Sequence, residues 1–226
     1  EVAAECGRHL LSHVRETEEG FAVCPTMDGN LHTGFSHGAA GLACALSRLA
    51  AATGDAGFGA AARGLTAWEE NLFEPREENY PTHRKSGDAP VFLSAWCHGA
   101  PGIALSRLAM MEAAESNARR QAERCIATTE RHGLGEADHL CCGTSGRIDV
   151  LLEASRRLGR PAAAGRARRL AAEVVRRAEQ DGGYRFPSGG SDAALSPGLF
   201  TGAAGIGYTW LRLARPDALP SVLLFD

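Results

Sequence analysis

Three cysteines stand directly in front of glycine-containing motifs, where their thiols could bind a metal ion. Cys97 begins the sequence CHGAPG, and the adjacent Cys141 and Cys142 begin CCGTSG. Three cysteine thiolates with one open position can form a catalytic zinc site, whereas a structural site closes the fourth position with another protein ligand. The spacing is not that of a Cys-x-x-Cys knuckle. From spacing alone, unliganded core thiols and a strained Cys141–Cys142 disulfide therefore stay open as alternatives.

Two histidines occupy related positions. His37 precedes the first glycine of SHGAAG, and His98 follows Cys97. Beside a metal, an imidazole can be a ligand, an acid or base, or a hydrogen-bond donor that orients a ligand. A capping or solvated histidine is the alternative that the spacing leaves open.

The other four cysteines have no such placement. Cys6, Cys44 and Cys125 lie within helical patterns, and we expect them to be small residues of the core. Cys24 lies in a loop without repeat context and is interpreted as incidental.

The motifs belong to four copies of one unit with a Gly-x-x-Gly pattern. The copies read SHGAAG, CHGAPG, CCGTSG and FTGAAG, and their first glycines are Gly38, Gly99, Gly143 and Gly202. Unequal intervals between the copies place insertions in loops. Because glycine lacks Cβ, each pair permits a tight turn and close packing where a helix begins. We therefore expect the residues in front of the glycines at one end of neighbouring helices, whose N-termini favour thiolates and anions.

An apolar helix follows each motif, and a more charged helix lies between successive motifs. In the first copy, the apolar stripe at helical spacing consists of Leu42, Ala45, Leu46 and Leu49. The charged helix candidates cover residues 2–16, 57–74, 115–131 and 161–180. Strand patterns are almost absent. The alternation predicts an all-α fold with apolar helices in an inner layer, amphipathic helices in an outer layer, and about four helix pairs.

The composition argues against several classes of function. The chain has 226 residues and a net charge of −3, which gives no basic surface for nucleic acid or an anionic membrane. No apolar run approaches the ~20 residues that cross a bilayer. Seven cysteines without a secretory signal favour reduced thiols and a cytoplasmic location. The chain starts without methionine and inside a helical pattern, so we expect it to be part of a longer protein.

The four motifs in this order, together with LPSVLLFD after the fourth, resemble the LanC-like cyclase domain at the C-terminal end of class II lanthipeptide synthetases of the LanM type. The resemblance covers residues 34–226. It implies an α/α toroid, a double ring of inner and outer helices. It also implies that Zn²⁺ is bound by Cys97, Cys141 and Cys142. Cys142 stands where many relatives carry a histidine ligand, and a three-cysteine variant of the site is also found in the family.

The resemblance further implies a reaction and a role for both histidines. His37 matches the active-site histidine of the family, and His98 is expected to contact a metal ligand or the substrate. The implied reaction adds a peptide cysteine thiol to dehydroalanine or dehydrobutyrine, which closes a lanthionine or methyllanthionine ring. The implied partners are a dehydrated lanthipeptide precursor and a dehydratase domain N-terminal to the cyclase in the same protein.

The family ring has more helix pairs than the four counted here. We therefore expect residues 1–226 to be the C-terminal part of a cyclase domain, an incomplete ring whose isolated form could be inactive. An acidic residue that relatives use near zinc falls in the earlier repeats. The arginine that single-domain cyclases place shortly before the first zinc cysteine is here Leu93.

Two other functions fit parts of the pattern. One is a LanC-like module that binds zinc and thiols without closing rings. The other is a glycosidase on the same α/α toroid, which needs two carboxylates flanking its substrate. Asp138 and Asp149 lie near a single repeat, so the motifs offer no matched pair of carboxylates.

Overall fold

Helices make up most of the chain. The computed structural model describes residues 1–17, 22–25, 29–84, 89–111, 117–186 and 196–226. Within these residues the eight helices are α1 (Val2–His13), α2 (Ala39–Thr53), α3 (Ala56–Glu70), α4 (Ala100–Met110), α5 (Ala118–Arg131), α6 (Thr144–Leu158), α7 (Pro161–Asp181) and α8 (Ala203–Ala214). None of them combines the length and the apolar character that a membrane-spanning helix requires.

Short strands accompany the helices. The strands in the described ranges are β1 (Arg15–Glu16), β2 (Ala22–Val23), β3 (Leu31–His32) and β4 (His83–Arg84). β1 pairs antiparallel with β2, and β3 pairs antiparallel with β4, where His32 is opposite His83. The second pair positions the loop that precedes α2, so it contributes to the site described below.

The helices form two layers, as the sequence predicts. The inner helices α2, α4, α6 and α8 follow the four motifs and pack side by side in that order. The outer helices α3, α5 and α7 each cover the inner helix before them, and α1 packs on α2 and α3. Every residue of α4 is buried, including Arg107, which pairs with buried Glu69 of α3 at 2.7 Å. This arrangement of inner and outer helices is that of an α/α toroid.

Two outer helices are shorter than predicted. α1 ends at His13 instead of residue 16, because Val14 is extended and the next two residues form β1. α3 ends at Glu70 instead of residue 74. A helix is predicted over residues 115–131, of which residues 115 and 116 lie outside the described residues. The observed helix α5 starts at Ala118. The span of α7 agrees with its prediction to within a residue.

The cysteines predicted to be core residues differ in burial. Cys44 and Cys125 are buried, but Cys6 is exposed, so the prediction for Cys6 is wrong. The reason lies in how α1 packs. Its buried residue is Gly7, where a Cβ would lie 2.5 Å from a methyl carbon of Leu49. The neighbouring Cys6 therefore lies on the solvent side of this contact.

The predicted apolar stripe of α2 is partly exposed. Leu46 lies in the core, whereas Ala45 is exposed and lines a groove that also reaches the histidines. The face of α2 that packs on α4 carries small residues. There the Ser106 hydroxyl of α4 donates to the Ala40 carbonyl at 2.7 Å. Small side chains allow the two inner helices to approach closely. A hydrophobic stripe in the sequence does not indicate which face makes this close contact.

The second glycine of each motif lies against a carbonyl group of the loop that precedes its helix. These glycines are Gly41, Gly102, Gly146 and Gly205. A Cβ built on any of them would lie 1.9 to 2.1 Å from the backbone oxygen of the residue six positions earlier. A side chain there would force the loop away from the helix. The contact therefore fixes how each loop folds back at the start of its inner helix.

Residues 221–226, which follow α8, pack against the inner layer. Leu223 and Leu224 are completely buried. The indole Nε1 of Trp96 donates to the Leu223 carbonyl at 3.1 Å, and Arg48 of α2 donates to the Leu224 carbonyl at 2.7 Å. The segment is thus held by side chains from two different repeats.

Buried and partly buried charges add further contacts between α6, α8 and this segment. Arg212 of α8 is buried and pairs with Asp149 and with Glu153, the latter at 2.7 Å. Arg157 of α6 pairs with the Asp226 carboxylate at 2.9 Å. Since a buried charge is costly unless it is paired, these contacts restrict how α6, α8 and the last residues can be arranged.

Two glycines of α8 provide a matched test of the glycine–carbonyl contact. A Cβ on Gly205 would lie 1.9 Å from the Leu199 oxygen, whereas a Cβ on Gly207 would meet nothing within 4 Å. We expect Gly205→Ala to lower the free energy of unfolding by about 2 kcal/mol or more through overpacking. Gly207→Ala should raise it by up to about 1 kcal/mol, because alanine is the better helix former. Urea unfolding measures both, and equal effects would contradict the contact.

Candidate metal centre

Three thiols come together at the N-terminal ends of α4 and α6. The sulfur of Cys142 lies 3.2 Å from that of Cys97 and 3.4 Å from that of Cys141, and all three lie within 4.8 Å of one another. Cys97 is buried, Cys141 is partly buried and Cys142 is exposed. All three are free thiols, so the Cys141–Cys142 disulfide considered above is not formed. The cluster is accessible from the side of Cys142.

Backbone hydrogen bonds connect the loops that carry these thiols. The amide of Cys97 donates to the Cys141 carbonyl at 3.4 Å, and the amide of Cys141 donates to the Phe200 carbonyl at 2.8 Å. Nδ1 of His139 lies 3.1 Å from the same Phe200 oxygen, to which it can donate. The loop of the fourth motif therefore supports the cluster through its backbone, although it provides no thiol.

Gly99, the first glycine of the second motif, adopts a conformation that other residues rarely adopt. Its φ is 85°, and a Cβ there would lie 1.8 Å from the Leu93 oxygen. The Asn79 side chain accepts from the Ala100 amide at 2.8 Å and donates to the Leu93 carbonyl at 3.0 Å. These contacts hold the loop around Cys97 in a tight turn.

A buried ion pair holds the loop of the first repeat against Cys97. Glu69, which pairs with Arg107, also accepts from the Gly34 amide at 2.9 Å. A Cβ on Gly34 would lie 2.4 Å from the Cys97 oxygen, and the φ of Gly34 is 94°. The two loops are therefore in direct backbone contact, which brings the histidine of the first motif to the thiol-bearing loop.

The imidazoles form a row beside the thiols. The His37 and His98 rings are stacked, with centroids 5.1 Å apart and planes 14° apart. Nδ1 of His98 lies 3.1 Å from the Thr33 carbonyl oxygen, to which it can donate. His32 lies 5.8 Å from both His98 and His83 by ring centroids. Burial lowers the pKa of His98, which keeps this ring neutral at pH 7.

The three thiols share their protons through hydrogen bonds. Hydrogen bonding with the Cys141 and Cys97 thiols lowers the pKa of Cys142 to about 3. The bond with Cys142 raises the pKa of Cys141 to about 12, and the contacts with both neighbours raise the pKa of Cys97. The thiolate form is therefore favoured at Cys142 over the other two positions. A coordinated divalent cation would displace the remaining thiol protons, because coordinating thiols are deprotonated.

The donor set fits zinc. Two sulfurs on a tetrahedral Zn²⁺, at about 2.3 Å each, are about 3.8 Å apart. The separations of 3.2 and 3.4 Å around Cys142 are close to this distance. Among the His, Cys, Asp and Glu side chains that the structure describes, this group is close enough to hold one ion. Three protein thiolates leave one coordination position open, as in catalytic zinc sites.

A groove of about 990 Å³ runs from the histidines along α2. His37, His98 and Trp96 line it near the thiols, and apolar side chains of α2 line the remainder. None of its described lining residues is acidic. Arg48, the arginine in this lining, donates to the Leu224 carbonyl and pairs with the Asp226 carboxylate. The groove is suited to a chain segment with apolar side chains.

Some residues of this site were not predicted. Trp96 and Phe200 stack at 5.3 Å with planes 12° apart, next to the thiol-bearing loops. Phe200 stands two positions before its motif glycine, as Cys97 does in the second copy. Alignment of the four copies could therefore have located Phe200 at the cluster. His32 has no motif context, and a long-range contact with His98 brings it here. His139 lies two residues before Cys141 in the same loop, so its closeness in sequence could have located it.

The chain is similar to a known protein family and to solved structures. The family model for lanthionine synthetase C-like protein matches residues 1–224. Among solved structures, nisin cyclase matches with a TM-score of 0.74 at 18% sequence identity, over 97% of this chain and 60% of nisin cyclase. The GH76 α-mannanase of Bacteroides thetaiotaomicron matches with a TM-score of 0.63 at 15% identity, over 98% of this chain and 64% of the mannanase.

These matches confirm the predicted fold. The chain spans less than two thirds of the length of either protein. At such low identities the two structural likenesses concern the fold alone, the double layer of inner and outer helices.

The metal content of the protein tests the ligand set. We expect about one Zn²⁺ per chain after equilibrium dialysis and loss of that zinc in Cys97→Ala, because two thiols hold the ion much more weakly than three. The control is Cys6→Ala, which removes an exposed thiol on α1 and should leave the zinc content unchanged. Elemental analysis measures the stoichiometry, and thiolate-to-metal absorption bands of the Co²⁺ form report sulfur ligation. Full zinc in Cys97→Ala would contradict the assignment.

Proposed function

The chain belongs to the lanthionine synthetase C-like family, and we propose that it carries the zinc site of a cyclase that closes lanthionine and methyllanthionine rings in a dehydrated peptide. The observation that carries the proposal is the convergence of three thiols next to two stacked histidines at one end of the inner helices. That end also opens into a groove that can receive a peptide.

The proposed reaction is an addition without any redox change. The sulfur of a peptide cysteine forms a bond with Cβ of dehydroalanine or dehydrobutyrine, and the carbon–carbon π bond breaks. The thiol loses its proton, and Cα of the acceptor residue gains one. The protein therefore has to favour the thiolate, hold it near the acceptor and supply a group that moves protons.

Cys97, Cys141 and Cys142 are the proposed ligands of Zn²⁺, with the fourth position left for the substrate cysteine. Bound zinc lowers the pKa of a thiol from about 8.5 into the range in which thiolate dominates at neutral pH. The protein holds the three ligand sulfurs together through the backbone bonds between the thiol-bearing loops. This preorganisation reduces the conformational cost of assembling the site.

His37 is the proposed acid or base. Its ring is exposed at the groove, where it can take the proton of the incoming thiol or deliver one to Cα of the enolate. His98 is proposed to orient it, because the two rings are stacked and Nδ1 of His98 is directed to the Thr33 carbonyl. A neutral His98 avoids charge repulsion with a protonated His37.

The geometry supports this reaction better than glycoside hydrolysis. Asp138 is buried and pairs with Arg177, and Asp149 is buried and pairs with Arg212. Carboxylates committed to arginines in the core cannot flank a sugar as an acid and a base or nucleophile. The likeness to a mannanase is therefore consistent with a shared fold and a different site.

The family resemblance also suggests the partners. We include in the proposal a dehydrated lanthipeptide precursor as substrate and the dehydratase domain of a LanM-type synthetase as the neighbouring domain. Free cysteine ligands require a reducing setting, which is the reason to include a cytoplasmic location.

Substitution of His37 tests its role. We expect His37→Asn to retain zinc but to lose roughly 10²- to 10⁴-fold in the rate of ring closure above the uncatalysed background, the usual contribution of an acid or base. The substrate is a model peptide with one dehydroalanine and one cysteine, and thiol alkylation followed by mass spectrometry measures its closure. His132→Asn is the control, since His132 follows α5 away from the motifs.

Three outcomes would change this interpretation. Loss of zinc in His37→Asn would make His37 a ligand, and an unchanged rate would exclude it from proton transfer. A wild-type chain that binds zinc and thiols without closing rings would instead fit the binding-module alternative.

The third thiolate is expected to make the centre more reactive. A site with three thiolates is more negative than one with two thiolates and an imidazole, so the bound substrate sulfur should be a stronger nucleophile. We expect Cys142→His to retain zinc and to close rings more slowly in the same assay. An equal or faster rate with full zinc content would contradict this effect.

A further inference from the structure

Phe225 is an aromatic residue whose position the proposed chemistry does not explain. It belongs to residues 221–226, which Trp96, Arg48 and Arg157 hold against the inner layer. The two preceding leucines are completely buried, whereas Phe225 is 68% exposed. A firmly held segment thus presents one large apolar side chain to solvent.

The backbone of Phe225 is unusual as well. Its φ is 56°, in the left-handed region that bulky residues rarely adopt. Such a conformation costs free energy and persists where surrounding contacts impose it. Here those contacts are the Leu224 carbonyl bond to Arg48 and the pairing of the Asp226 carboxylate with Arg48 and Arg157. The anchors on both sides of Phe225 therefore hold its ring outward.

The exposed ring lies at the junction of the thiol cluster and the groove. Its centroid is 6.4 Å from that of Trp96 and 6.3 Å from that of Phe200. Trp96 directly precedes Cys97, and the carbonyl of Phe200 accepts from the Cys141 amide. Phe225 also lines the groove that contains His37 and His98. A peptide with its cysteine at the thiols and its chain in the groove would pass over this ring.

We propose that Phe225 is a substrate-contacting residue that binds an apolar side chain next to the reacting cysteine of the peptide. The proposal rests on the proposed function, because it places the substrate cysteine at the three thiols. The occupant is a peptide with apolar side chains, since the groove is lined mainly by apolar groups and Arg48 is already paired. Phe225 thereby contributes to the choice among cysteines of a substrate.

Thiol peptides that differ in one side chain test the proposal. The first pair of probes is N-acetyl-Cys-Gly amide and N-acetyl-Cys-Leu amide. The second pair has the reverse order, with glycine or leucine before cysteine. Calorimetric titration of the zinc-loaded protein gives the dissociation constants. We expect the wild type to bind a leucine probe about fivefold more tightly than its glycine counterpart, the size of an apolar contact with an aromatic ring.

The variants separate the ring from the backbone. Phe225→Ala should abolish the preference for leucine, and Phe225→Tyr, which keeps a ring, should retain it. The control Leu211→Ala removes a similarly exposed leucine of α8, 60% against 68% for Phe225, that lies outside the groove, and it should also retain the preference. Phe225→Gly should lose the preference but have a higher melting temperature than Phe225→Ala, because glycine adopts a positive φ without strain. The alanine and glycine variants would then share the loss of the leucine preference but differ in melting temperature.

The outcomes distinguish this proposal from the proposed function. Binding of the glycine probes without a preference for leucine in the wild type, or with the same preference in Phe225→Ala, would overturn the role of Phe225 and leave the zinc–thiol site intact. Failure of every probe to bind the zinc-loaded protein would overturn the proposed function and this proposal with it.

Discussion

A contact between a glycine and a backbone carbonyl determines where the site lies. At the start of each inner helix, the second motif glycine leaves no space between its Cα and the loop oxygen six residues earlier. Each loop must therefore return over the N-terminus of its own helix in the same way. Cys97 and the pair Cys141 and Cys142 lie in loops that precede different helices, yet these loops meet through a backbone hydrogen bond. The cluster thus follows from backbone geometry.

The sequence was sufficient to predict the features that depend on local pattern. Helical spacing and the repeated glycines predicted the two helix layers, and the common position of Cys97, Cys141 and Cys142 predicted that their side chains would share one end of the inner layer. Predictions of burial failed where they depend on neighbouring elements. Cys6 is exposed because α1 packs through Gly7, and part of the α2 stripe faces a groove.

Other parts of the site depend on contacts between residues far apart in the chain, which no local pattern reveals. Arg107 is the charged residue of the mainly apolar helix α4, and its partner Glu69 lies near the end of the outer helix α3. The burial of these two residues could not be predicted from their types, because arginine and glutamate side chains are mostly exposed. Yet this pair holds Gly34 against Cys97 and so connects the first repeat to the thiols. His32 reaches the imidazole row by a similar long-range route.

The glycine–carbonyl contact has an evolutionary consequence. The two positions before the first glycine hold Ser36 and His37, Cys97 and His98, Cys141 and Cys142, and Phe200 and Thr201. Because main-chain atoms set the path of each loop, mutation can exchange the side chains at these positions while the architecture is inherited unchanged. Proteins that share this ring can therefore differ, through a few point mutations, in the side chains that they present at the thiol cluster. The residues that set the path of each loop are therefore largely separate from the residues that present its side chains to the site.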